Sequence, residues 1–116
     1  MTEGKVYVDT NEGLKRVLQN VKLYLKLLNK FKVDFSSKPD DIIAALAAGH
    51  NEEAQVLVHT LKGTASNLAL TELYNKTVEL ELQIKNAAVD SAASEAVKLC
   101  FADTVEAIDM VIKQYG

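Results

Sequence analysis

Tryptophan is absent from this 116-residue chain, and proline and cysteine each occur once. Each shortage excludes something. A single thiol, Cys100, cannot close an internal disulfide, so packing must hold the fold together. Cys100 lies inside a helical apolar pattern, which suits a buried, inert thiol. One proline and five glycines leave few interruptions, whereas a strand-and-turn protein needs many. No apolar run approaches the roughly 18 residues of a membrane span. The start, MTEGKVYVDT, lacks the basic and then apolar order of a secretory leader. Neither sign of charge dominates: 13 cationic side chains face 16 acidic ones, for a formal net charge of −3. That balance offers no basic cluster of the kind that binds nucleic acid or an anionic membrane.

What is present favours helices. Leucine, alanine, lysine and glutamate are abundant, and the length suits one compact domain. Residues 1–8 read as a flexible N-terminal arm and 9–116 as the domain. Asp9 or Thr10 can cap a short helix to about Leu18. A second helix is expected from about Asn20 to Phe35, with Tyr24, Leu28 and Phe31 on its buried stripe. SSKPDD interrupts and restarts the chain, with Ser37 as cap and Pro39 in the first turn of a short third helix that Gly49 ends. Asn51 opens the fourth helix, whose stripe is Ala54, Leu57, Val58, Leu61, Ala65 and Leu68. After a bend near Leu70, Thr71 can cap a fifth helix burying Leu73, Leu80 and Ile84. Asp90 or Ser91 begins the last, with Val97, Phe101, Val105, Ile108, Ile112 and Tyr115 facing inward. Short connections make neighbours antiparallel. The expected fold is all-α: an antiparallel four-helix bundle with two short accessory helices near the N-terminus.

The stretch HTLKGTASNLAL, His59 to Leu70, raises a question of its own. Gly63 lies in a helix interior, where glycine costs about 1 kcal/mol relative to alanine. At 100° per residue, His59 falls roughly 140° from the centre of the buried stripe and Gly63 roughly 180°. Both face away from the core, so an exposed glycine forms a notch one turn from the imidazole. If the chain reverses near residue 70, residues summing to about 140 are level, and Glu81 is level with His59. A carboxylate on one ring nitrogen fixes the tautomer and leaves the other nitrogen bare and nucleophilic. Lys62 is placed to neutralise an anion on that second nitrogen. A nucleophile, a notch, a cation and an orienting carboxylate thus share one level. His50 and His59 are nine residues apart on different elements, which makes no metal site.

The run His59-Thr60-Leu61-Lys62-Gly63-Thr64-Ala65-Ser66-Asn67-Leu68 resembles the signature of histidine-containing phosphotransfer (HPt) domains, the phosphocarriers of multistep two-component relays. Upstream, Val8-Asp9, Glu12 to Arg16, Leu23 to Leu28 and Phe31 are similar to the family's N-terminal half. Downstream, Leu80-Glu81 is similar to its leucine–glutamate pair. The likeness runs over roughly residues 8 to 85. It implies that His59 accepts the phosphoryl group, that Lys62 assists with its charge, that Gly63 leaves room for the docking partner and that Glu81 hydrogen-bonds the ring. Three positions depart from the pattern. Ala69 and Gln19 stand where glycine is common, and Val58 stands where alanine often precedes the histidine. Ala69 is expected to shift the bend slightly, and Val58 to alter packing rather than chemistry.

The resemblance implies a phosphocarrier without kinase activity of its own. It would take a phosphoryl group from a receiver-domain aspartate and pass it to another. It implies no cofactor on this chain, since Mg²⁺ belongs to the receiver. Response-regulator receivers are the expected partners, with a sensor kinase in cis as a further one. No nucleic acid or direct membrane contact is expected, and the chain is expected to be a monomer in the cytoplasm, alone or as the cytoplasmic part of a membrane sensor. Two other readings remain at this stage. One is a chemotaxis-type phosphoacceptor fed by a kinase. The other is a helical adaptor that is never phosphorylated.

Overall fold

The computed structural model describes residues 6–116 and contains six helices and no strand among them. In order they are α1 (Thr10–Arg16), α2 (Val21–Asp34), α3 (Lys38–Ala47), α4 (Asn51–Asn67), α5 (Thr71–Lys85) and α6 (Ser91–Tyr115). Of the expected arm, residues 1–5 lie outside the described residues. Tyr7 and Val8 pack against the core, and the Asp9 amide donates to the Ala69 carbonyl at 2.9 Å.

Three helices start on side-chain caps, at Asp9, one of the two caps expected for α1, and at the expected starts Asn20 and Asp90. Asp9 accepts from the Glu12 amide, Asn20 from that of Leu23 and Asp90 from that of Ala92. The other three start without one. Ser37 turns its hydroxyl to the Asp41 carboxylate instead, and the cap positions of α4 and α5 are His50 and Leu70. Thr71 is therefore the first residue of α5 rather than its cap. At the opposite ends a single device recurs. Beyond α1, α3, α4 and α5, one residue with positive φ lets two amides fold back on the last carbonyls. At α4, for instance, the Ala69 amide reaches Ser66 O and the Leu70 amide reaches Ala65 O at 2.8 Å. Glycine fills this left-handed position once, at Gly49. Leu18, Ala69 and Ala87 fill it elsewhere, and Gln19 is left-handed too. A side chain in that region costs roughly 1–2 kcal/mol, so the departures at Ala69 and Gln19 are energetic ones.

Helices α4, α5 and α6 pack in succession, and the remaining side is covered by α2 and α3 together. This corrects the expected arrangement. The third helix is no accessory: it lies against both α4 and α6, with Ile42 and Ala45 in the core, whereas α2 rests mainly on α6. There Phe31 stacks on Phe35 and tilts against Phe101, with centroids 5.0 and 5.5 Å away. The expected stripe of α6 fades at its end, where Ile112 is half-buried and Tyr115 exposed. With 25 residues α6 outruns the 17-residue α4, and its final residues, Lys113 to Tyr115, are exposed.

Tyr24 ties the N-terminal helices to the bend after α4. Its buried hydroxyl donates to Leu68 O at 2.8 Å, and burial pushes its pKa up to about 12, so it remains a donor. The same ring explains Gly13. A Cβ there would come within 2.3 Å of the Tyr24 ring. Cys100 is buried, and burial raises its thiol pKa, in keeping with an inert side chain.

Candidate functional site

Two facing helices build the site. The three-residue turn Leu68 to Leu70 reverses the chain, and Leu70 is fully buried, which fixes the register of α5 on α4. That register brings Glu81 level with His59. Glu81 Oε2 lies 3.0 Å from His59 Nδ1, and Glu81 Oε1 lies 2.5 Å from Lys62 Nζ. One carboxylate thus serves both partners, an oxygen to each.

The three side chains differ in exposure. That of His59 is 69% exposed, that of Lys62 24% and that of Glu81 5%. Glu81 is more deeply set than the flank position expected from its angle, because α4 closes over it. Burial by itself would raise the Glu81 carboxyl. Hydrogen bonds from Lys62 and His59, with the charges of Lys62 and Lys85, outweigh that and hold it below its ordinary value of 4.5. Glu81 is therefore ionised near neutral pH, and an ionised carboxylate only accepts. The proton of the Glu81–His59 hydrogen bond must then sit on Nδ1. In the neutral ring Nε2 carries the free lone pair.

Lys62, expected to meet an anion on the second ring nitrogen, is bonded to Glu81 instead. In this resting arrangement it neutralises the carboxylate that orients the ring. Gly63 is exposed, and a Cβ built on it would meet nothing within 4 Å. No neighbouring helix requires a glycine there, so the notch is open surface. On the other side of His59 a depression of about 480 Å³ includes Val56, Thr60 and Lys85. Val56 is 65% exposed, an apolar residue one turn before the histidine. Val58 is fully buried, on the packing face as expected. His50 stands apart at the start of α4, with its Nδ1 3.5 Å from Glu53.

An exposed imidazole, aimed by a buried carboxylate beside an empty notch, is the geometry the HTLKG run led one to expect. A family model described as Hpt domain matches residues 26–110, most of the chain. The chain belongs to the Hpt domain family. Hpt domains take part in histidine phosphotransfer within phosphorelays, acting as phosphocarriers that interact with receiver domains. The match covers α2 to α5 and most of α6, and so both helices of the site. Neither the comparison with curated proteins nor that with solved structures finds a significant match. No helix among the described residues of this Hpt domain is long and apolar enough to cross a membrane.

Sequence reasoning overlooked two features around the site. One is the Lys62–Glu81 pair, which the level-matching argument could have found, since 62 and 81 lie within one turn of the same level. The other is the Tyr24 bond to Leu68, which ends the histidine helix. Nothing in the spacing of α2 marks that hydroxyl, because Tyr24 reads simply as a core residue.

Proposed function

We propose that His59 is the phosphoacceptor of this Hpt domain, taking a phosphoryl group from an aspartyl phosphate on a receiver and passing it to an aspartate on a second receiver. The observation that carries this is the 3.0 Å contact of Nδ1 with a buried, ionised Glu81, on a ring otherwise open to solvent. Nε2 attacks phosphorus in line. The N–P bond forms with the ring's electron pair, the P–O bond to the acyl oxygen breaks, and the aspartate leaves as a carboxylate. Glu81 stabilises the positive charge that grows on the ring during attack and holds Nδ1–H in place. In this reading Lys62 and Lys85, one on each helix of the site, supply positive charge for the incoming phosphoryl oxygens.

Phosphoryl transfer needs mainly positioning and charge stabilisation. In this reading the receiver brings the Mg²⁺, and the Hpt domain brings an exposed, correctly protonated ring. Gly63 lets the partner approach the ring without meeting a side chain. The monomeric state and a cytoplasmic setting belong to the same reading.

The test is a choice of donors. The chain is incubated either with a receiver charged by a small acyl phosphate or with ATP and a histidine kinase. Acid-labile, base-stable label from the receiver, passed on to a second receiver, is the expected result. Label from the kinase alone would assign the chain to the chemotaxis-type class. No label from either would leave the adaptor reading.

A further inference from the structure

We propose that the outer face of α2, with the turn that leads into it, seats the chain on an anionic lipid surface. The net charge of −3 conceals a strong segregation. Residues 14–33 hold six of the 13 cationic side chains and none of the 16 acidic ones, leaving seven cations against all 16 acids elsewhere. The lack of a basic cluster and of membrane contact, expected from the whole-chain balance, rests on an average over these two parts.

The fold turns five of the six cations outward. Lys22, Lys26 and Lys30 follow one another at intervals of four and are all exposed, on the side of α2 away from buried Tyr24, Leu28 and Phe31. Lys30 pairs with Asp34 at 2.8 Å, whereas Lys22 and Lys26 form no ion pair among the described residues. Lys15 and Arg16 extend the patch from the end of α1, with Glu12 as a loose partner at 3.7 and 3.8 Å. Lys32 is turned the other way and pairs with Asp109 on α6.

Apolar side chains stand among these cations. Leu23 and Val33 are exposed on the same outer side of α2. Leu18 precedes the helix and is 90% exposed, more than any other large apolar side chain among the described residues. It also holds a φ of 54°, a region that suits glycine or asparagine. Neither packing nor backbone conformation accounts for a leucine there.

This combination favours lipid over a folded partner. A protein interface has a contiguous apolar centre, whereas here single apolar side chains are separated by lysines on a convex helix face. A fluid anionic surface accepts both kinds. Its headgroups meet the cations, and each apolar side chain enters the acyl boundary on its own. The inner face of α2 stays in the core, so the chain rests on the surface and does not enter it. Leu18, Lys22, Leu23, Lys26 and Val33 do not line the depression beside His59, so seating on lipid covers none of that lining.

Flotation of the whole chain with vesicles tests this. Vesicles of phosphatidylcholine with about 30% phosphatidylserine should carry the chain, and vesicles of phosphatidylcholine alone should not. Raising salt from about 50 to about 300 mM should weaken binding roughly tenfold. The double variant Lys22→Glu, Lys26→Glu should weaken it at least about tenfold at low salt. Leu18→Asn separates lipid contact from folding. Asparagine suits the φ of that turn, so the melting temperature should hold or rise while vesicle binding falls about threefold or more. Labelling of His59 by phosphoramidate should be equal in all three chains, and its failure would count against the acceptor assignment separately from the lipid face. A wild-type chain that floats with neither kind of vesicle, or equally with both, would overturn the proposal, as would unchanged binding by both variants. Slower transfer from a receiver to the lysine variant, with no vesicle binding by the wild type, would give the face to an acidic protein instead.

Discussion

At the scale of single residues, two glycines with the same empty surroundings carry opposite predictions. Neither Gly63 nor Gly49 has anything within 4 Å of a built Cβ. Gly63 lies within α4, so Gly63→Ala should raise stability by up to about 1 kcal/mol through helix propensity. Gly49 has φ of +77°, so Gly49→Ala should lower it by about 1 kcal/mol. Urea midpoints of the two variants check both signs. Gly63→Gln should fold equally well but slow transfer from a receiver, because the notch would then be filled. Gly13 was not marked by its sequence context, since its reason is the Tyr24 ring of another helix. Gly13→Ala should cost about 1–3 kcal/mol by overpacking against a ring that its bond to Leu68 holds in place. Glu81 sets a pH dependence. Its folded-state pKa lies below the ordinary value, so its contribution is present above pH about 4.5 and fades as pH falls through the lower, folded value. The stability difference between wild type and Glu81→Gln should therefore shrink from pH 7 towards pH 3. A difference that stays constant over that range would mean that Glu81 gains nothing from its two partners.

At the scale of elements, helix starts were more legible than helix ends. Asp9, Asn20 and Asp90 carry short acceptor side chains at the cap position, and the sequence displays such residues openly. The ends use left-handed residues, and the usual marker, glycine, stands at one of the four. Leu18, Ala69 and Ala87 look like ordinary helix formers, so the position of each turn had to be inferred from the restart after it. These residues give a graded prediction. Ala87 is exposed with φ of 53°, so Ala87→Gly should gain about 0.5–1 kcal/mol after the added freedom of the unfolded chain is subtracted. Ala69 has φ of 59° but is buried, and losing its methyl costs about 0.8 kcal/mol. Ala69→Gly should therefore change stability little, which thermal melts of the two variants side by side would show.

At the scale of the whole molecule, apolar periodicity revealed the helices and their inward faces, but not which helices close the bundle. The short α3 was assigned a minor place by length, yet Ile42 and Ala45 make it part of the core. Contact between elements distant in sequence leaves no local pattern to read. The candidate site was more legible than the fold, because both of its helices belong to one hairpin and its register follows from the position of a single bend. The separation of charge between α2 and the rest was visible in the sequence and hidden by summing over the chain. The central claim is that Nε2 of His59 carries the phosphoryl group. It is tested most directly by ³¹P–¹⁵N correlated NMR of the chain after transfer from a charged receiver, with His59→Gln as the comparison. The His59 side chain is 69% exposed, so that variant should keep the fold. The account predicts one phosphohistidine signal, coupled to Nε2 and absent from His59→Gln. A signal that persists in the variant, or one coupled to Nδ1 of His59, would contradict it.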